Sequence, residues 1–516
     1  MGWFNKIEAR SVRRDGSERT PRRPQTELRA IRKSGKGDTA AHGFLWLLSQ
    51  TASGRIALFL GQIVLARLLS PEDFGTIGLT YTITTIIGYL TTSGIGDVLV
   101  QRSRHFYIWA WPGFLIDIAL ASIGGGLVLA LAPLGARLYA TPEISGLAQV
   151  MAVAMPLGAL STIPLTALRV SLNFRLLAAI GTVEIVAAQI LSVLLAWYGM
   201  GAYSFVVPMP VVAVIKAVWL WVFIRPRLPR TRPRRAWFNL VRRGCWIWGF
   251  RLLIGLVSQG DYFVLGLLSS RQEVGFYFFA FRLSAQPLQA LALNLSSVMF
   301  PVLVNSRSRP EEQSQVALKA SQVFAVAIFF VACLQTAIVA PILHLLFYDR
   351  WNGSILLSQI LSIGLSFDAV CWVAGALVNA RGEFRLNFVV MLFAAPCFFG
   401  LVGLGALLGQ ALGVAIGVAI YYAVLGPSYV YIAIRDTSTI SVLRLYVLPL
   451  TLAGLAVGGS YETTHFLFDK NLVAPQIVSV VVLASTFYAG LLRLCIPGAF
   501  FAFKTQAAWV LSKLRR

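Results

Sequence analysis

Gln62-Ile63-Val64-Leu65-Ala66-Arg67-Leu68-Leu69-Ser70-Pro71-Glu72-Asp73-Phe74-Gly75 closes one apolar run, turns through a short polar segment and opens the next. Two hundred residues later part of the pattern returns: Leu65, Leu68, Ser70 and Gly75 recur as Leu265, Leu268, Ser270 and Gly275, and the acidic Glu72 and Asp73 are echoed by Glu273. Each set ends a predicted helix, turns and starts another. Six apolar segments separate the copies, and an even number returns the chain to the same side of a membrane. The repeat is therefore parallel and predicts two lobes facing one another across an axis normal to the membrane.

The rest of the chain has the composition such an arrangement needs. Of 516 residues, 57% are hydrophobic and only 13% charged, where a soluble chain carries roughly a quarter. Apolar residues come in runs, not at the gaps of three or four that mark a soluble amphipathic helix. A run of about twenty is what a helix needs to cross hydrocarbon with every backbone N–H and C=O satisfied internally. Fourteen such segments are predicted, at residues 43–68, 74–97, 107–133, 144–168, 177–198, 202–224, 244–268, 274–303, 318–346, 355–378, 386–407, 409–434, 443–461 and 475–496. The narrowest divisions are Tyr198 to Ala202 and the one near Leu408; twelve spans is the alternative count. The expected fold class is all-α and polytopic: an N-terminal lobe over 43–224, a basic linker over 225–243, a second lobe over 244–434, and two further helices within 443–496.

A net charge of +23 raises nucleic acid as a partner, so the placement of the cations decides. With the N-terminus inside, 35 of the 44 Lys and Arg residues fall in cytoplasmic segments, including eleven in the tail and eight between Arg225 and Arg243. Five fall in the opposite loops, and Arg55, Lys216, Arg251 and Arg282 lie within spans. This asymmetry is topology: both termini are predicted to be cytoplasmic, and no nucleic acid is expected. The basic tail, residues 1–42, has no apolar run followed by a cleavage site and reads as disordered chain near anionic lipid headgroups. Residues 497–516 alternate aromatic and basic side chains and read as an interfacial helix.

Catalytic motifs are missing. There is no His-Glu-x-x-His pair, no Gly-x-Ser-x-Gly elbow and no Walker A sequence, and no cofactor or metal is expected. Cys245, Cys333, Cys371, Cys397 and Cys495 have no paired spacing and read as packed thiols. The outward loops are too short to form a domain that holds an acceptor, which argues against a membrane-embedded glycosyltransferase or ligase. A non-transporting scaffold of envelope assembly is the other competing class. Pro156, Pro164, Pro208, Pro210, Pro287, Pro341, Pro396, Pro427 and Pro449 lie in or near spans, where proline frees carbonyls and permits bending. Gly409, Gly413 and Gly417 form a small-residue packing stripe.

Charges in hydrocarbon are costly and mark functional candidates. Against the cations Arg55, Lys216, Arg251 and Arg282 stand Asp117, Glu184, Asp261 and Asp368. Two readings are open: interhelical ion pairs that lock the fold, or a hydrated cavity that binds an anion. Arg55 and Arg251 sit in the first helix of each lobe and are expected to face one another; an Arg fork suits a phosphate or pyrophosphate. Asp261 lies ten residues beyond Arg251, about 15 Å along a helix, and is expected to be available to Arg282 instead. Asp117 and Asp368 are candidates to carry a coupling proton or sodium ion.

The quoted opening, together with Asp261-Tyr262-Phe263-Val264-Leu265-Gly266, Val274-Gly275-Phe276-Tyr277 and Ala280-Phe281-Arg282-Leu283, resembles bacterial polysaccharide exporters. It is similar to the Wzx-type and succinoglycan-transport branch of the multidrug/oligosaccharidyl-lipid/polysaccharide exporter superfamily, over roughly residues 43–500. The resemblance implies a V-shaped pair of six-helix lobes with two further helices. It also implies translocation of an undecaprenyl-pyrophosphate-linked oligosaccharide across the bacterial inner membrane, the sugar in the cavity and the lipid tail in the bilayer. Membrane lipids, a polysaccharide polymerase and export proteins are the other partners it implies. The long basic tail departs from the family pattern.

Overall fold

A computed structural model of the chain describes residue 54 and residues 57–91, 94–101, 106–171, 173–225, 234–306, 309–434, 438–467 and 473–497. The expected tail, Arg55 and all but the first residue of the expected interfacial helix lie outside the described residues.

The described chain is a succession of helices. The first lobe contains α1 (Ala57–Leu68), α2 (Pro71–Thr91), α3 (Phe106–Leu138), α4 (Glu143–Ala159, resuming as Thr162–Val170), α5 (Phe174–Trp197) and α6 (Pro208–Ile224). The second contains α7 (Arg234–Leu268), α8 (Arg271–Asn305), α9 (Pro310–Phe347), α10 (Gly353–Arg381), α11 (residues 384–408) and α12 (residues 411–433). Two further helices follow, α13 (Thr439–Leu467) and α14 (Val473–Cys495), which pack on each other and on α9. Among the described residues, ten helices are long and apolar enough to cross a membrane.

Both narrow divisions are breaks. Between α5 and α6 the chain passes through Gly199 (φ 78°) and Gly201 (φ 52°), left-handed conformations that glycine adopts without steric cost. Between α11 and α12 the helix fails at Gly409 and at Gln410, whose φ is 48°. The glycine stripe therefore divides its work. Gly413 and Gly417 lie against the backbone of Gly405 and Leu401 on α11, whereas Gly409 has no neighbour to pack against and makes the turn. At the other end of the scale, α7 starts at Arg234, inside the stretch read as linker.

Burial separates helices that meet lipid from helices that meet protein. In the most apolar window of α5 only 11% of residues are buried, against 67% in α10. Val183, Ile215 and Phe223 stand exposed on α5 and α6. An apolar helix left that bare needs an apolar solvent. α2 is less hydrophobic because it faces protein: Thr76, Thr80, Thr82 and Thr84 are buried on it. Each donates its hydroxyl to the carbonyl four residues earlier, at 2.8 to 3.2 Å, which satisfies the polar atom without a partner helix.

The prolines do free carbonyls, and neighbouring helices take them up. Pro164 cannot donate to Leu160, whose carbonyl accepts from Trp221 Nε1 at 2.9 Å; Pro287 cannot donate to Leu283, whose carbonyl accepts from Gln335 Nε2 at 3.3 Å. Pro208 instead opens α6 in its first turn, where no donor is needed. Of the thiols, Cys333 is buried and Cys371 donates to the carbonyls of Phe367 and Gly426, but Cys397 and Cys495 are exposed on their helices and not packed.

Candidate functional site: the junction between the lobes and its charges

The two copies of the repeated turn meet. α1 ends at Leu68 and α7 at Leu268; α2 begins at Pro71 and α8 at Arg271. In the first copy the Asp73 carboxylate accepts from the backbone N–H and the hydroxyl of Ser70, both at 2.9 Å, while Asp73 N–H donates back to the Ser70 hydroxyl at 3.1 Å. This reciprocal cap satisfies two donors at the helix start. In the second copy Ser270 accepts from Glu273 N–H at 3.3 Å. α2 then crosses α8 at Gly75 and Gly275. A Cβ on Gly75 would strike the carbonyl oxygen of Arg271, and one on Gly275 that of Pro71. Equivalent glycines touching equivalent carbonyls mean that the pseudo-twofold axis runs between them. The recurrence of Gly75 as Gly275 is thus a packing requirement.

At this end, called the Ser70 end, the lobes also cap each other's helices. The last carbonyls of α1 have no partner within the helix. Ala66 O accepts from Trp351 Nε1 at 3.0 Å and Arg67 O from Arg350 at 3.1 Å, while Arg67 Nε donates to Leu346 O, near the end of α9, at 3.0 Å. Trp351 is fully buried, with Phe74 and Phe279 at ring-centroid distances of 5.0 and 4.2 Å. The first lobe sends its own aromatic residue across: Tyr139, just past α3, lies over Gly266 of α7.

Further along the helices stand the intramembrane charges. Lys216 and Glu184 form an ion pair between α6 and α5, with side chains 15% and 38% exposed. The ion-pair reading thus holds for these two, and Lys216 has a carboxylate partner within its own lobe. Asp261 and Arg282 do not pair, contrary to expectation. Asp261 is buried and accepts from Tyr277 OH at 2.7 Å and from Tyr262 N–H at 2.9 Å. Arg282 lies one turn beyond Phe278 on α8, so its guanidinium falls over that ring at 4.9 Å and over Tyr81 of α2 at 6.0 Å. Aromatic faces hold the cation there, and no carboxylate is within ion-pair distance of it among the described residues.

Arg251 reaches across to the first lobe, where its guanidinium packs over Gly94 just beyond the end of α2. Asp117 is half-buried on α3, which packs on α2 and α4. Asp368 is half-buried on α10 and accepts from Trp372 Nε1 at 3.2 Å. Asp261 on α7 and Asp368 on α10 both lie on helices that pack against the stretch 384–433 of the second lobe. The interface therefore brings together Tyr81, Phe278 and Arg282 from the two lobes, while the Lys216–Glu184 pair lies within the first lobe. Sequence reasoning missed Trp351, Arg350 and Tyr139. They stand in short loops with no pattern around them.

Residues 64–356, more than half of the 516, match the family model described as polysaccharide biosynthesis protein. Over 384 residues the chain is 24% identical to the succinoglycan biosynthesis transport protein ExoT of Rhizobium meliloti (strain 1021), covering 73% of this chain and 76% of that protein. Among solved structures, the lipid II flippase MurJ in an inward closed conformation superposes with a TM-score of 0.69 at 14% identity, over 88% of this chain and all of that one. A transporter of the MOP superfamily from Pyrococcus furiosus gives 0.53 at 14% identity, over 80% of this chain and 96% of that one. At such identities the likeness is one of fold. The matched stretch contains both copies of the turn and every intramembrane charge from Asp117 to Arg282, and the chain belongs to the polysaccharide biosynthesis protein family.

Proposed function

We propose that the chain is a flippase that carries an undecaprenyl-pyrophosphate-linked oligosaccharide, the repeat unit of a polysaccharide, from the cytoplasmic to the outer leaflet of the bacterial inner membrane by alternating access. The observation that carries this reading is Arg282. A permanently charged fork, held on aromatic faces between the lobes and with no carboxylate within ion-pair distance among the described residues, is prepared for an anionic group of a substrate. Membership of a polysaccharide biosynthesis family and similarity to proteins named as a succinoglycan transport protein and a lipid II flippase support the same class of cargo.

In this reading about fourteen spans form two six-helix lobes, 43–224 and 244–434, joined by the basic stretch 225–243, and two further helices within 443–496. Both termini face the cytoplasm, so the Ser70 end faces outward and its interlocked turns hold the outer side shut. Pyrophosphate enters from the cytoplasmic side and meets Arg282, with Arg251 and Arg55 nearer the entrance; the lipid tail stays in the bilayer. Separation of the Ser70 end then releases the sugar outward. Asp261 and Asp368 carry the coupling proton or sodium ion in the second lobe. Reconstitution with a fluorescent lipid-linked oligosaccharide and a leaflet-selective reporter tests the proposal. Transfer that depends on the protein and falls at least tenfold in Arg282→Ala supports it; no protein-dependent movement of sugar lipids would favour a scaffold.

A further inference from the structure

One turn beyond Arg282 on α8, the carboxamide of Gln286 crosses to the first lobe and donates from Nε2 to Gln62 Oε1 of α1 at 2.7 Å. Gln62 is only 7% exposed. The remaining amide nitrogen of Gln62 and the remaining carbonyl oxygen of Gln286 are both buried, and neither has a hydrogen-bond partner. The orientation chosen for the amides does not matter. A single bond between two carboxamides consumes one NH2 group and one C=O, so one donor group and one acceptor are left over whichever way each is turned. A third carboxamide, Gln189 of α5, packs flat on Gly61 beside Gln62, and its Nε2 is likewise buried without a partner.

Buried amides with unused hydrogen-bonding capacity are unusual, because a lost partner costs more than a made bond gains. Here the pair joins the two lobes, so their separation would expose both amides at once. A sugar hydroxyl is one donor and one acceptor on the same atom, the complement of what the pair leaves over. Arg282 and Gln286 are four residues apart on one helix, about 6 Å along the axis, and so lie on the same face. That spacing suits a phosphate and the first sugar ring attached to it.

We infer that Gln62 and Gln286 form a sugar-hydroxyl recognition site shared between the lobes, one helical turn from Arg282. The site rests on the flippase reading and specifies how it selects a glycosylated lipid over the bare carrier. As the lobes part, hydroxyls of the first sugars replace the amide–amide bond. A lipid without sugar offers no such replacement and leaves the lobes latched.

The test compares two probes on the full-length protein in lipid nanodiscs, by competition against labelled undecaprenyl pyrophosphate: undecaprenyl pyrophosphate itself, and the undecaprenyl-pyrophosphate-linked oligosaccharide extracted from the native cells. The wild type is expected to bind the glycosylated lipid at least tenfold more tightly. In Gln62→Met/Gln286→Met that preference is expected to fall to about one, with affinity for the bare lipid within about twofold of wild type. The double variant removes donor and acceptor together and keeps their shape, which spares the fold. Gln286→Met alone is expected to lose part of the preference, whereas Arg282→Met weakens both lipids. A preference that survives the double variant, a wild type with no preference, or an equal fall for both lipids in the double variant would overturn the site. Binding of neither lipid by the wild type would instead overturn the flippase reading beneath it.

Discussion

Each lobe sends one aromatic side chain across the Ser70 end onto the opening helix of the other, and the two are unequal. Trp351 from the second lobe is fully buried, donates its indole N–H to Ala66 O at 3.0 Å and is flanked by Phe74, Phe276, Phe279 and Phe347. Tyr139 from the first lobe is 7% exposed, has Phe263 at 6.5 Å, and its buried hydroxyl has no hydrogen-bond partner. Both loops hold a non-glycine residue at positive φ, Ala140 at 48° and Tyr348 at 53°, a conformation that costs energy and persists only where surroundings enforce it. The symmetric frame of Gly75 and Gly275 is thus closed by one tight strap and one loose strap. In the proposed transport cycle, the loose side is where opening costs least.

The largest effect is expected where the frame itself is broken. Gly275→Val puts a branched side chain into the Pro71 carbonyl, and backbone cannot yield as a flexible side chain would. Spin labels on Leu68→Cys and Leu268→Cys are expected to report a separated Ser70 end, with transport reduced at least tenfold; an unchanged distance distribution would remove Gly275 from the contact. Trp351→Ala comes next, at about 3–5 kcal/mol for a buried aromatic, read as a lower midpoint of thermal unfolding in detergent. Trp351→Phe separates packing from capping and is expected to lose about 1 kcal/mol for the orphaned Ala66 carbonyl.

Arg350→Ala removes an exposed hydrogen bond to Arg67 O and is expected to cost roughly 0.5–1 kcal/mol, visible as a small change in the same melting curve. Tyr139→Phe is the smallest. It deletes a buried, unpartnered hydroxyl, so the closed form should be unchanged or slightly more stable, by at most about 1 kcal/mol. If Tyr139→Phe destabilised the protein as much as Trp351→Phe does, the two straps would be equivalent and the asymmetry drawn from them would be wrong.

Much of the fold was legible in the chain itself. Long apolar runs must be helices wherever hydrocarbon leaves no other partner for the backbone, and among the described residues ten helices are long and apolar enough to cross a membrane. The breaks at Gly199 to Gly201 and at Gly409 and Gln410 fell at the two narrow divisions. The offset of two hundred residues marked the duplicated turn; that its two copies meet is a finding of the structure, and it explains the recurrence, because a residue that must lack a Cβ on one side of a twofold axis must lack it on the other. The intramembrane charges were legible as a set but not as pairs. Lys216 and Glu184 are 32 residues apart and meet because α5 and α6 pack together. Arg282 went to rings and not to Asp261, since Phe278 stands one turn away on its own helix while Tyr277 had already claimed the carboxylate.

Sequence alone determined the material: apolar helices, the breaks at the two narrow divisions and the duplicated turn. These depend on one residue's chemistry or on spacing along the chain, and both are written in one dimension. Tertiary structure decided the closures, in which Trp351 and Arg350 complete α1, Gln335 repairs α8 and Gln286 meets Gln62. In each, a polar group left over by one helix is satisfied by another far away in the chain. Leftover valence has no address in the sequence; only packing supplies the partner.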